Sequence, residues 1–258
     1  MKKLISLFFL SLAITSLNVF ANNNPYMAAE TNVKAELFKK FKELKDPVVT
    51  YLPEVKLFEV DVDGNIFYTN QSLDFVITGL QVELLDINTK KNITVERDLI
   101  KTKQLFNKFP FNNSITFKFG KGTRKIAIFS DPDCPFCKKL DNEIFNDLAK
   151  RKDLDLTIHY FMNPLDGNPD GGPHPDARRK AKVIWCSKDP AQSWKTFVLT
   201  EKLPNNAPTC KNPVDENKRL AERMNLNSTP TIIFDNGYVV RQIVSIDKLL
   251  EILNKRKP

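Results

Sequence analysis

The sequence predicts two units of different class: a small α+β unit of one helix and a short sheet, then a larger α/β unit. Three observations carry this reading. Strand-like runs flank Asp63-Gly64 and again Asn236-Gly237, residue pairs that suit two-residue hairpins. The apolar run 125–130 leads into "DPDCPFC" and then a helical stretch, as a strand feeding a helix does. Downstream, strand, helices, hairpin and helix follow in alternation, which places the second unit in the α/β class.

Residues 1–21 read as a leader rather than as part of the fold. Lys2 and Lys3 form a basic start, 4–17 is largely apolar, and Val19-Phe20-Ala21 places small residues where a signal peptidase cuts. Export to the periplasm through a cleaved signal peptide is expected. No later segment approaches the ~20 apolar residues of a bilayer span, so no membrane insertion is expected.

Residues 22–93 form the first unit. A helix is predicted over 30–45, with Val33, Leu37, Phe38, Phe41 and Leu44 on one face, and Pro47 stops it. Strands are predicted over 55–62, 65–69, 75–78 and 82–87. A unit of ~70 residues has little core of its own, which makes it a candidate for pairing with a second copy as a homodimer. Residues 94–109 read as a linker helix, ended by the 110–113 break.

Residues 110–258 form the catalytic candidate. Strands are predicted over 116–119 and 125–130, a helix over 134–150 and a strand over 156–162. The stretch 163–175 is rich in Pro and Gly and must be a loop. Helices follow over 176–187, 191–200 and 214–224, then the hairpin strands 231–234 and 238–242 and a helix over 246–255. His159, within a strand, is expected on the solvent side of the sheet.

The formal charge is +8, and loss of Lys2 and Lys3 with the leader lowers it to +6. Acidic and basic residues are interspersed without an Arg-rich run, so no nucleic-acid partner is expected. All four cysteines (Cys134, Cys137, Cys186, Cys210) lie beyond the leader, an even number for an oxidising compartment. Of the three possible connectivities, loop closure favours nearest partners, Cys134 with Cys137 and Cys186 with Cys210. The wide pair then reads as a structural bridge worth roughly 3 kcal/mol, with a second redox couple as its alternative.

For Cys134 and Cys137 three chemistries compete. A zinc half-site lacks two close further ligands, since Cys186, Cys210, His159 and His174 are widely spaced. A structural staple closes too short a loop to matter. A redox couple fits the local geometry. Pro135 suits the first helical position, which makes Cys134 the N-cap and points the helix N–H groups at its sulfur. That environment favours thiolate over thiol, so Cys134 is the candidate nucleophile and Cys137, one turn in, the resolving thiol. No metal or other cofactor is called for.

The order of elements in the second unit resembles a thioredoxin-like domain with a helical insertion. There a cis-proline before the hairpin lies beside the C-x-x-C, and Thr229-Pro230 occupies that place in the chain. With C-P-F-C, Thr229-Pro230, "IWCSKD" at 184–189, a downstream Cys210 and the N-terminal hairpin unit in this order, nearly the whole sequence beyond the leader resembles the DsbC/DsbG family. Between the cysteines stands Pro135-Phe136, closer to the Pro-Tyr of DsbG than to the Gly-Tyr of DsbC. The resemblance implies a homodimer with an apolar cleft that isomerises or reduces non-native disulfides in misoxidised or unfolded exported proteins. It also implies a membrane reductase of DsbD type as redox partner, Thr229 and Pro230 as the substrate-binding backbone, and chaperone-like binding of unfolded chains. A thiol-independent chaperone and a DsbA-like oxidase are the alternatives.

Overall fold

The computed structural model describes residues 24–77, 84, 91–151, 154–167 and 171–255. The expected leader and most of the expected strand over 82–87 lie outside these. In the first unit, α1 (Met27–Lys40) lies on an antiparallel meander of β1 (Val48–Leu52), β2 (Leu57–Val62), β3 (Asn65–Thr69) and β4 (Val76–Ile77), in that order across the sheet. Asp63 and Gly64 take positive φ and close the β2–β3 hairpin with Val62 opposite Asn65. Strand β1 adds to those the sequence predicts.

Helix α1 starts and stops earlier than its apolar pattern implies. Val33 and Leu37 are fully buried against Phe58 and Val60, but the chain leaves the helix at Phe41. Phe38 and Phe41 therefore stay exposed, and Leu44 reaches the same cluster from a loop. The period persists in the sequence, but one short sheet face accommodates only two turns of it.

Helix α2 (Ile93–Phe106) is capped by the Asn92 side chain, which accepts from the Val95 N–H. It is tied to the first sheet by charge. The Glu59 carboxylate, 1% exposed, receives Lys101 at 2.8 Å and Arg97 at 3.3 Å. The same stretch of α2 also meets the second unit, where Gly237 sits so close to the Leu99 carbonyl that a Cβ would lie 2.1 Å from it.

The second sheet has the order β5-β7-β6-β8-β9 over Ile115–Phe119, Leu156–Met162, Arg124–Ser130, Thr231–Phe234 and Val239–Val240. Strands β6 and β7 are parallel and joined through α3 (Pro135–Asn146); the other pairs are antiparallel. Helices α4 (Ala177–Trp185), α5 (Pro190–Thr200) and α6 (Val214–Arg223) lie between the sheet's two halves in sequence, and α7 (Ile246–Asn254) closes the chain.

Side chains alternate between the faces of this sheet. Ile126, Ile128, Ile158, Tyr160 and Ile232 pack with Leu140 and Ile144 of α3, Trp194 of α5 and Leu249 of α7. Ala127, Phe129, Phe161 and Ile233 face the other way, onto Phe106, Phe109 and Ala221. This second layer corrects the expectation for His159. The chain after α2 folds Phe111 over it, ring centroids 4.4 Å apart, and leaves the imidazole 7% exposed. Burial, helped by the charge of Lys125, pushes its pKa down to about 4, and the Ser114 and Thr116 hydroxyls meet its Nδ1. A strand reads as one-sided in sequence; the cover over its second side comes from a distant segment.

Candidate active site

Strand β6 ends at Ser130 and the turn Asp131-Pro132-Asp133 delivers the chain to Cys134, the N-cap of α3. Its backbone is extended, φ −71° and ψ 118°, and Pro135 takes the first helical position. The Cys137 N–H donates to the Cys134 sulfur at 3.3 Å, and the Cys134 thiol donates to the Thr229 carbonyl, also at 3.3 Å. That carbonyl belongs to a cis Thr229–Pro230 peptide directly before β8. Residues about 95 apart in sequence thus meet at one sulfur atom because β6 and β8 are neighbours.

The two thiols differ sharply. Cys134 is pulled from 9.0 to about 6, first by a hydrogen bond from the Cys137 thiol and against the cost of burial. The Thr229 side chain and the Cys137 and Phe136 N–H groups lower it further. Cys137 is fully buried, and its pKa is pushed far up by that burial, by the Cys134 hydrogen bond and by the Asp141 charge. Both cysteines are reduced, and Phe136 between them is 59% exposed. Thiolate absorbance of the reduced protein is therefore expected to rise with a midpoint near pH 6. A midpoint in the ordinary thiol range of about 8.5 would contradict this geometry.

Two acidic residues escaped the sequence reading. Asp141 lies one turn beyond Cys137 on the buried face of α3, beside Leu140, Ile144 and Phe145. It is 0% exposed, and burial pushes its pKa up to about 8 against the lowering influence of the Tyr160 and Ser130 side chains, of which the Ser130 hydroxyl donates to it at 3.4 Å. A charged residue four positions after Cys137, on an apolar face, was the available signal. Asp131 is also fully buried, in the turn itself.

Cys186 and Cys210 form a disulfide between the C-terminal end of α4 and the loop before α6, within the helical insertion. Replacing both by Ser is expected to lower stability by roughly 3 kcal/mol through the freed loop, read as a lower denaturation midpoint with the Cys134 titration unchanged. A shifted Cys134 titration would instead tie the bridge to the redox couple. Among the described residues no cluster of three or more His, Cys, Asp or Glu is placed to hold a metal ion, and no helix is long and apolar enough to cross a membrane.

Comparison with known proteins agrees with this geometry. The thioredoxin-like domain family matches residues 115–257. A probable thiol:disulfide interchange protein DsbC of Bordetella pertussis is 29% identical over 218 residues, 84% of this chain and 71% of the relative. That of Bordetella avium is 32% identical over 77% of this chain and 65% of its own. The crystal structure of a disulfide interchange protein from Neisseria gonorrhoeae is 38% identical over 56% of this chain and 96% of that one, with a TM-score of 0.49. The chain belongs to the thioredoxin-like domain family and is a DsbC-like thiol:disulfide interchange protein.

Proposed function

We propose that the protein isomerises and reduces non-native disulfides of exported proteins in the periplasm, with Cys134 as attacking thiolate. The Cys134 sulfur attacks one sulfur of a substrate disulfide; a mixed disulfide forms and a substrate thiolate leaves. A substrate thiolate then attacks its own sulfur in the mixed disulfide, releasing Cys134 and a rearranged bond. Alternatively Cys137 attacks Cys134, the substrate leaves as a dithiol, and the protein keeps the disulfide. A membrane reductase of DsbD type then returns two electrons.

The observation that carries this reading is the Cys134 sulfur set between the α3 N-terminus and the Thr229 carbonyl. On ionisation the sulfur no longer donates, and that carbonyl becomes free to accept a substrate backbone N–H; Thr229 and Pro230 are the substrate-binding backbone. Residues 22–93 are the dimerisation unit, 94–109 the linker and 110–258 the catalytic domain, with 1–21 as the cleaved leader. Exposed Phe38, Phe41, Val48, Phe75 and Val76 on a unit whose sheet, among the described residues, ends in the edge strands β1 and β4 support pairing with a second copy and chaperone-like holding of unfolded chains.

The test is the thiol state of Cys134 and Cys137 in the periplasm together with sedimentation of the purified protein. A mostly reduced pair in a dimer is expected. A mostly oxidised pair in a monomer would mean an oxidase.

A further inference from the structure

The described parts of the connection between β7 and α4, residues 163–167 and 171–175, have no part in the exchange steps, yet they are built onto the turn that carries Cys134. Asp131 is their anchor. This residue is 0% exposed and uses both side-chain oxygens: Oδ1 accepts from the Asp133 N–H at 2.7 Å, and Oδ2 accepts from the Leu165 N–H at 2.6 Å. The His174 Nδ1 lies 2.9 Å from the same Oδ2. The Asp131 backbone is tied to the thiol-bearing segment as well, its carbonyl accepting from the Cys134 N–H at 3.2 Å. A buried carboxylate holds a turn rigidly only while its hydrogen bonds are complete. Among the described residues, His174 supplies the one of these bonds that comes from a side chain.

The Pro and Gly content of the loop serves this delivery. Pro173 and Pro175 flank His174 and restrict its backbone. Gly172 lies against the Leu165 carbonyl, where a Cβ would come within 2.3 Å. The His174 N–H donates to that carbonyl at 3.2 Å, and Gly172 N–H to the Asp166 carbonyl at 2.8 Å. Arg178 of α4 clasps the Asp166 side chain, so the strut is braced from behind.

We propose that His174 is a positioning residue for thiol exchange, acting through the Asp131 carboxylate to hold the turn that aims the α3 N–H groups at Cys134. Without it, the Asp131 charge is less compensated and the turn is looser. Both changes disfavour the Cys134 thiolate. The other titratable groups around the turn are Asp133 with its partner Lys180, and the buried Asp141, and none of them touches His174.

The test compares His174→Ala with His174→Asn in the full protein. The Asn amide nitrogen sits as far from the backbone as the imidazole Nδ1 and restores the donor. Thiolate absorbance of His174→Ala is expected to titrate about one pH unit higher, roughly a tenfold change in the ionisation constant. Attack on a small aromatic disulfide at pH 6 should slow about twofold, the lost thiolate being partly offset by higher intrinsic nucleophilicity. His174→Asn should return both readings toward wild type. An unchanged midpoint in folded His174→Ala, or equal shifts in both variants, would overturn the proposal. If His174→Ala does not fold, the wild-type imidazole provides the measurement: its nitrogen resonances must respond when the Cys134–Cys137 pair is oxidised, and resonances that stay fixed refute the coupling. The inference rests on Cys134 as the exchanging thiol. A wild-type protein without a low midpoint refutes that reading, whereas a low midpoint indifferent to His174 refutes only this one.

Discussion

Cys134→Ala is expected to leave a folded protein that rearranges scrambled multi-disulfide substrates no faster than buffer thiols do. Cys137 cannot take over, because it is 0% exposed and its pKa is pushed far up. The size of the effect follows from thiol chemistry. A thiol with a pKa of about 6 is mostly thiolate at neutral pH, roughly ninetyfold more than one at 9.0. Intrinsic nucleophilicity falls as pKa falls, with a Brønsted slope of about 0.4–0.5, and cancels most of that gain in attack. The net advantage in attack is about fourfold. The larger benefit is in departure: Cys134 is the better leaving group when a thiol resolves the mixed disulfide. Isomerisation needs release as much as attack, so the N-cap position serves the second half of the cycle more than the first. Refolding of a scrambled substrate followed by recovered activity checks this, and turnover retained by Cys134→Ala would sink the assignment.

Asp141→Asn is expected to stabilise the folded protein, increasingly so as pH rises. The folded pKa of Asp141 is about 8, and an unfolded Asp titrates near 3.9. Between these values the folded chain holds a proton that the unfolded chain has released, so its stability falls as pH rises. The cost is absent below about pH 4, grows by about 1.4 kcal/mol per pH unit, and levels off above about 8. Wild-type melting alone hides this. His159, whose pKa falls to about 4 when folded, gives the opposite slope between there and its unfolded value near 6.5. Reduced Cys134 does so again above its folded value of about 6. The difference between wild type and Asp141→Asn isolates the carboxyl: near zero at pH 4 and several kcal/mol at pH 8. Denaturant melts at these two values provide the check. A difference independent of pH would show that Asp141 is not held as the neutral acid.

The elements that the sequence predicted well are those whose signals are local. Strand β7 matches its apolar run residue for residue, and the hairpins at Asp63-Gly64 and Asn236-Gly237 sit at their turn pairs. The Cys134 cap was legible because Pro135 and an N-cap sulfur are features of four consecutive residues. Helix α1 ran short because its partner sheet is short, which no periodicity in 30–45 can report. His159 was misread because Phe111 covers it from another part of the chain. Asp141 and Asp131 went unnoticed for a related reason. An Asp is polar in any sequence pattern, and only packing shows that these two are sealed from water.

The sequence by itself determined the order of the elements in the second unit, the pairing of a thiol with a helix N-terminus, and the hairpin before α7. These depend on residue period, proline and glycine chemistry, and hydrogen-bonding groups within a few positions. Tertiary structure alone decided what surrounds the two thiols: the Thr229 carbonyl at Cys134, the neutral acid beneath Cys137, and the imidazole on Asp131. Those partners lie from four to nearly a hundred residues away. Their effect on a proton or a thiolate depends on burial and distance, which exist only once the sheet has closed and water is excluded.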